Sequence, residues 1–530
     1  MNRVQILDCT LRDGGYINQF QFGFHPIRTI IRQLSLASID IIECGFLKSG
    51  ANDKDTSLFD SVEALREVIC QKNPSSMYVA MIQYGAITAD EISPFDDTSI
   101  DGIRLTFHEH EIDEAFLLGA SLKEKGYAVF MQPVGTSTYE DSNLLSLIKQ
   151  VNKLDPYAFY LVDTLGTMYQ KDLHRMFHLI DHNLNPEIIL GFHSHNNLQL
   201  SFANAMDLIS IQTSRRLIID SSVFGLGRGA GNLCTELITR YINETFGFCY
   251  DMLPILEILD EQIRPLKIKY EWGYDAAYYL ASAAGCHPNY ASFLLNKQTL
   301  RVPDINAILQ SLPESQKCLY HKSLIEKAYL HYMAHQIQDD YVISQLRSAI
   351  KGRNVLLAAP GKSIKRHQDS LLQFIKEQNP FVISIQFYPM DFDADMIFCA
   401  NLKRYHFIRE YMETAEKKIP LLITSNIAEK NDDIQSVINY GSYLNDDHLI
   451  VDNAGLMCLN LLKKAGADKV FLAGYDGFRI NQQKNYYHRS LYLDMGSEKL
   501  YKVNSAISTR LDQLKKQMEL QFLTPSAYVS

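Results

Sequence analysis

The stretch Asp8-Cys9-Thr10-Leu11-Arg12-Asp13-Gly14-Gly15 follows a short apolar run, residues 4–7, that reads as a buried strand. A guanidinium and a carboxylate sit side by side where the strand stops, and Gly-Gly there predicts a tight backbone turn. Such a pair suits a site that holds a metal and steadies an oxyanion; it equally fits an ion pair at a loop edge. What decides is the repetition downstream. Similar apolar runs, rich in β-branched residues, recur at 39–44, 78–82, 102–105, 128–131, 158–162, 188–192 and 217–220. Helical patterns lie between many of them, for example 113–125, 142–154 and 198–209. Strands alternating with helices in this way predict an α/β fold whose first half is a closed (β/α)8 TIM barrel. An open doubly wound sheet is the alternative. Nearly every run ends in polar or small residues: Arg12-Asp13, Glu43, Gln83, Thr106, Gln132, Asp163-Thr164, His193-Ser194-His195 and Asp220-Ser221. In a barrel those ends share one face, and active sites sit there.

With 530 residues the chain is too long for one ordinary core, and 46% hydrophobic content is ample for two. A net charge of −10 and the lack of a Lys/Arg run argue against a nucleic-acid partner. No stretch is apolar over the length a membrane span needs. The nine cysteines are scattered with no Cys-x-x-Cys pair, as expected of reduced thiols in a cytoplasmic protein. The limits drawn from these patterns are a barrel over 1–250, a helical extension over 251–348 that contributes to the active site, and a Rossmann-like α/β domain over 349–530.

Two further stretches carry chemistry. In His193-Ser194-His195 the imidazoles at i and i+2 of a strand face one way, a geometry that suits a divalent metal. Strands seven, eight and one are neighbours in a closed barrel, so Asp13 can lie close to both rings. The loop Gly225-Leu226-Gly227-Arg228-Gly229-Ala230-Gly231-Asn232 follows the eighth strand. It can bring its backbone close to a ligand, offer Asn232 as a fourth metal ligand, and offer Arg228 to an anion.

Together, Asp8-x-Thr10-Leu11-Arg12-Asp13-Gly14, Glu43, His193-x-His195 and Gly229-x-Gly231-Asn232 resemble the DRE-TIM metallolyases, which include aldolases, acyl-CoA lyases and Claisen-type synthases. The resemblance covers residues 4–296 and is closest to the 4-hydroxy-2-oxovalerate aldolase branch. It implies a divalent metal, Mn²⁺ or Mg²⁺, on Asp13, His193 and His195, with Asn232 a ligand in the lyase branch. It implies that Arg12 stabilises an enolate oxygen and that Glu43 orients Arg12 and a metal-bound water. Tyr290-Ala291-Ser292-Phe293-Leu294 resembles the segment carrying that branch's active-site tyrosine. The branch's catalytic histidine, three residues after the metal aspartate, is replaced here by Tyr16. His287, three residues before Tyr290, titrates in the right range to serve as base, with Tyr290 orienting the substrate. The other reading of His287 is a helix cap.

The expected reaction is cleavage or formation of a carbon–carbon bond in a 4-hydroxy-2-oxo acid, with a 2-oxo acid and an aldehyde as partners. A Claisen-type acyl-CoA synthase or lyase on the same barrel face is the rival, and a homo-oligomer is left open. In the second half, strands are expected at 355–359, 382–387, 396–399, 421–424 and 469–473. Gly361-Lys362-Ser363 is not a phosphate loop, because the glycine required five residues before Gly-Lys is Leu356. The segments 357–363, 399–401 and 472–476 resemble bacterial sialyltransferase-like nucleotide-sugar domains, which implies a nucleotide or nucleotide-sugar partner and a glycan-pathway transferase activity. The alternative is a Rossmann scaffold with a structural role.

Overall fold

The computed structural model describes residues 3–69, 71–297, 300–333, 337–415, 418–428, 435–478 and 497–528. The chain forms two compact units. One comprises Met1–Ser292 with Pro313–Tyr320; the other comprises Phe293–Leu312 with His321–Ser530.

The first unit is the expected barrel. Its strands are β1 (Val4–Asp8), β2 (Ile41–Leu47), the two-residue β3 (Leu58–Phe59), β4 (Met77–Gln83), β5 (Gly102–Phe107), β6 (Ala128–Pro133), β7 (Ala158–Asp163), β8 (Ile189–Ser194) and β9 (Leu217–Ser221). Without β3, a short addition beside β2, the strands pair in parallel in chain order, and β1 closes the ring by pairing with both β2 and β9. Two apolar layers follow from the alternation of side chains along each strand. Leu7, Ile41, Val79, Phe130 and Ile189 fill the barrel, while Ile6, Ile42, Ala80, Val129 and Leu190 face the surrounding helices. The helices complete that outer layer with one stripe each: Phe24–Leu36 buries Ile27, Ile30, Ile31 and Leu34, spaced at i, i+3, i+4 and i+7.

Gly14 is the turn residue of the Gly14-Gly15 pair, and the turn is helical in conformation. Gly14 has helical φ of −62°, between the short helices Thr10–Asp13 and Gly15–Asn18. Space is what demands glycine: a Cβ on Gly14 would lie 2.3 Å from Thr10 O, and one on Gly15 2.1 Å from the Phe20 ring. Arg12 and Asp13 are thereby set in one tight helical turn directly after β1.

The second unit holds seven parallel strands: β10 (Val355–Ala358), β11 (Phe381–Ile385), β12 (Met396–Cys399), β13 (Leu421–Thr424), β14 (Gln435–Ile438), β15 (Lys469–Ala473) and β16 (Glu519–Phe522). Their order is β14-β13-β12-β11-β10-β15-β16, so the topology reverses between β10 and β15. This is the switch point of a doubly wound sheet. Helices upstream of β10 belong to the same unit. Tyr329, on Lys322–Met333, shares a 2.7 Å hydroxyl–hydroxyl bond with Tyr440, and Arg347, on Asp340–Ile350, donates to Ala465 O at 3.3 Å. A chain ended at Ser348 strips those helices of their partners and bares Ile325, Ile343 and Leu346, which are buried. It is expected to be less soluble, and to melt earlier in urea, than a chain ended at Tyr320; equal behaviour of the two would show that these helices need nothing downstream.

Among the described residues no helix is long and apolar enough to cross a membrane. The eight cysteines among them are free thiols.

Candidate active site

Asp13, His193 and His195 converge at the carboxyl ends of β1 and β8, each buried. One ligand atom from each lies within 4.8 Å of the others. The two rings stand perpendicular, with centroids 5.2 Å apart. His193 Nδ1 bonds to Asp220 Oδ2 at 2.9 Å, which leaves Nε2 as the ring's free ligand atom. His195 Nδ1 is buried with no hydrogen-bond partner, 3.9 Å from Asp13 Oδ2. Asn232 joins them through an isolated bridge to His195 and donates from Nδ2 to Asp13 Oδ2 at 2.9 Å; its Oδ1 is buried without a partner. A carboxylate, two imidazoles and an amide oxygen with orphaned acceptors fit a divalent cation. Burial and the neighbouring charges push His195 down to about 3, which keeps it in the neutral form a metal needs. Burial works to raise the Asp13 carboxyl, but Arg12, His195 and Arg228 outweigh it and hold it well below the usual carboxylate range.

The glycine loop is shaped around this cluster. A Cβ at Gly227 would lie 2.4 Å from Asn232 Nδ2 and 2.6 Å from Asp13 Oδ2. Gly227→Ala is therefore expected to cost metal affinity about tenfold or more with the barrel still folded. Equilibrium dialysis against Mn²⁺ checks this, and unchanged affinity would show that the loop can yield.

Arg12 is buried and doubly held. Nε donates to Glu43 Oε2 at 2.8 Å and Nη1 to Asp13 Oδ1 at 2.6 Å, while Nη2 has no partner. Glu43, expected to orient Arg12, is the acceptor of the Nε bond. Two residues that drew no separate attention in the sequence extend the array. Arg104, fully buried on β5, pairs with Glu43 Oε2 at 2.8 Å and with Asp220, and stacks over the Tyr160 ring at 4.7 Å. Asp220 is thus both the partner of Arg104 and the orienting acceptor of His193. The chain Asp13–Arg12–Glu43–Arg104–Asp220–His193 links the turn after β1 to β2, β5, β9 and β8 in one buried line of charged and polar groups.

Above the cluster opens a cleft. Arg12, His193 and His195 form its floor, with Tyr16, Gln83, Thr106, His108, Gln132, Thr164, Arg228, His287, Cys318 and Leu319 among its walls. Tyr16 is at the mouth, its ring 4.4 Å from the Arg228 guanidinium. His287 lines the cleft, and its Nδ1 also accepts the Asn289 N–H at 3.2 Å at the start of the helix Pro288–Lys297, so it caps and faces the site at once. Tyr290 does not line the cleft. It is fully buried, its hydroxyl 2.7 Å from Leu319 O and 2.9 Å from Gln316 O, and it pins the segment that brings Cys318 and Leu319 to the wall.

Burial and Arg228 push His287 down to about 3. The unfolded imidazole titrates near ~6.5, so between those values the unfolded chain binds the extra proton and stability drains away as pH falls from about 6.5. A Tm series from pH 7 to 4.5 should show a flatter acid limb for His287→Asn than for the wild type; parallel limbs would overturn this.

In the second unit the switch point is filled from within. The Ser363 N–H donates to Asp476 Oδ2 at 2.8 Å, and its hydroxyl bonds both Asp476 and Thr524. The chain's own carboxylate occupies the spot where a doubly wound sheet would receive a phosphate.

A closed parallel barrel with an arginine, a carboxylate and two imidazoles at the carboxyl ends of its strands is an enzyme build, suited to stabilising an oxyanion. Residues 3–246 match the HMGL-like family. That match spans the barrel, and the chain is an enzyme of the DRE-TIM lyase type. Similar curated proteins include 4-hydroxy-2-oxovalerate aldolases from Bacillus cereus, 25% identical over 50% of this chain and 76% of that protein, and from Geobacillus genomosp. 3, 27% identical over 50% and 77%. An oxaloacetate decarboxylase from Mycobacterium tuberculosis is 26% identical over 44% of this chain and 68% of that protein.

Proposed function

We propose that the barrel cleaves or forms the carbon–carbon bond of a 4-hydroxy-2-oxo acid by way of a pyruvate enolate, with Mn²⁺ or Mg²⁺ held by Asp13, His193, His195 and Asn232. The observation that carries this is the orphaned Arg12 Nη2. Two of the three guanidinium nitrogens are tied to carboxylates, and the third is buried, unpartnered and beside the ligand cluster. A fixed donor of that kind is what a developing enolate oxygen requires. The names of the relatives agree in chemistry: aldol cleavage of 4-hydroxy-2-oxovalerate and decarboxylation of oxaloacetate both leave the enolate of pyruvate.

When bound, the metal supplies Lewis acidity at the 2-oxo group. The protein does the rest. Arg12 Nη2 donates to the enolate oxygen, and Glu43 and Asp13 keep the guanidinium from turning. The apolar side chains of Phe107, Val134 and Leu319 in the cleft exclude water from the enolate carbon. His287 moves the proton. Because Nδ1 accepts from Asn289, the neutral ring carries its hydrogen on Nε2; taking the 4-hydroxyl proton as base requires letting go of Asn289, and the imidazolium so formed then gives that proton to the enolate carbon. Tyr290 acts on this site through the segment it pins. For the second unit, the internal Asp476–Ser363 bond favours a scaffold over a nucleotide-sugar pocket.

The test is exchange chemistry. Metal-loaded protein in D₂O should replace the methyl protons of pyruvate, read by NMR, and chelation should stop the exchange. No exchange in metal-loaded protein would overturn the reading.

A further inference from the structure

We infer that Arg228 docks an anionic group at the far end of the substrate, so that the aldehyde partner itself carries a carboxylate or a phosphate; this rests on the aldolase reading above. Arg228 is the one guanidinium of the site whose position the buried array does not explain. Its nearest charged neighbour among the described residues is Asp13, with Nε 3.9 Å from Oδ1, too long for a hydrogen bond, and that oxygen already accepts from Arg12 at 2.6 Å. Arg228 Nε is buried without a partner, while the side chain as a whole is 40% exposed. The Arg228 guanidinium carbon lies over the Tyr16 ring, 4.4 Å from its centroid, at the mouth.

The charge around it points the same way. No aspartate or glutamate is among the residues lining the cleft. Beneath it, three carboxylates (Asp13, Glu43, Asp220) face two guanidiniums (Arg12, Arg104), one negative charge in excess. A divalent metal and the carboxylate of a 2-oxo acid would bring that group to neutrality and leave the charge of Arg228 over. A guanidinium over an aromatic ring, in a cleft lined among the described residues by no carboxylate side chain, with donors to spare, selects a planar or tetrahedral oxyanion. Cleavage then breaks the bond between C3 and C4. The electron pair goes to the enolate and the 4-hydroxyl proton to the protein. The anionic half departs as the aldehyde, its charged group untouched.

Matched ligands test this without turnover. 2-Oxohexanoate, 2-oxoadipate and 6-phosphooxy-2-oxohexanoate share the 2-oxo acid head and differ at the tail: methyl, carboxylate and phosphate. Calorimetric titration of the Mn²⁺-loaded protein should show one of the anionic tails bound at least about tenfold more tightly than the methyl tail, and the tighter one names the group. In Arg228→Gln the ratio should collapse to about one. A wild-type ratio of one, or a ratio that survives in Arg228→Gln, overturns the inference. Equal weakening of all three acids would place Arg228 on the shared carboxylate and overturn it as well. Pyruvate exchange on the same samples separates the two readings: exchange without tail selectivity sinks this inference alone, and loss of exchange sinks the aldolase reading.

Discussion

Arg12→Ala should lower turnover by roughly 10²–10³-fold while the metal content of the protein stays near that of the wild type. The guanidinium is not a metal ligand, so the cation has Asp13, His193, His195 and Asn232 to keep. What disappears is Nη2, the guanidinium nitrogen left without a partner and proposed to donate to the enolate oxygen. Arg12→Lys is the sharper experiment. An ammonium restores the charge, but it cannot reach Glu43 through one nitrogen, Asp13 through another and the substrate through a third. It should recover little of the loss. Steady-state rates and metal analysis on the same preparations check this, and near-normal turnover of either variant would remove Arg12 from the chemistry.

Arg104→Met should be the most destabilising single change in the barrel. Arg104 is fully buried and faces Glu43 and Asp220, so its removal leaves Asp220 in the interior without a guanidinium and Glu43 with Arg12 alone. Breaking a buried pair from one side costs about 3–5 kcal/mol, and methionine fills the volume without supplying the charge. The loss should show in urea unfolding. Burial raises the Asp220 carboxyl, but Arg104 and His193 together outweigh it and hold it below the usual carboxylate range. Without Arg104, Asp220 drifts toward its protonated form and holds the His193 tautomer less firmly. Mn²⁺ affinity should therefore fall by roughly 10–100-fold even though Arg104 touches no ligand. A stable Arg104→Met protein with full affinity would show that the charge line is ornamental.

Much of this site was legible before any coordinates, for a physical reason. Arg12, Asp13, His193, His195 and Asn232 fall at or just after strand ends, and a parallel barrel gathers such ends on one face whatever its helices look like. Arg104 escaped because it lies in the middle of Gly102-Ile103-Arg104-Leu105-Thr106-Phe107, where a polar residue in an alternating run ordinarily marks a solvent face. Inside a barrel the same alternation points inward, and its partners Glu43 and Asp220 are distant in sequence. An arginine at an inward position of a strand predicted to be barrel-forming is the signal that could have found it. Gly14-Gly15 was legible as glycine but not as packing, since only the positions of Phe20 and Leu226 show that space is at a premium. Tyr290 was placed near the site from its motif; which way its hydroxyl points depends on Leu319 and Gln316, on a segment the motif does not contain.

That segment, Pro313–Tyr320, belongs to the barrel although the stretch just before it, Phe293–Leu312, belongs to the other unit. During synthesis the order of emergence then matters. All four residues that can hold a cation have left the ribosome once Asn232 is out, well before Cys318 and Leu319 are made. A nascent barrel thus holds every residue proposed as a ligand while one wall of the cleft is still untranslated.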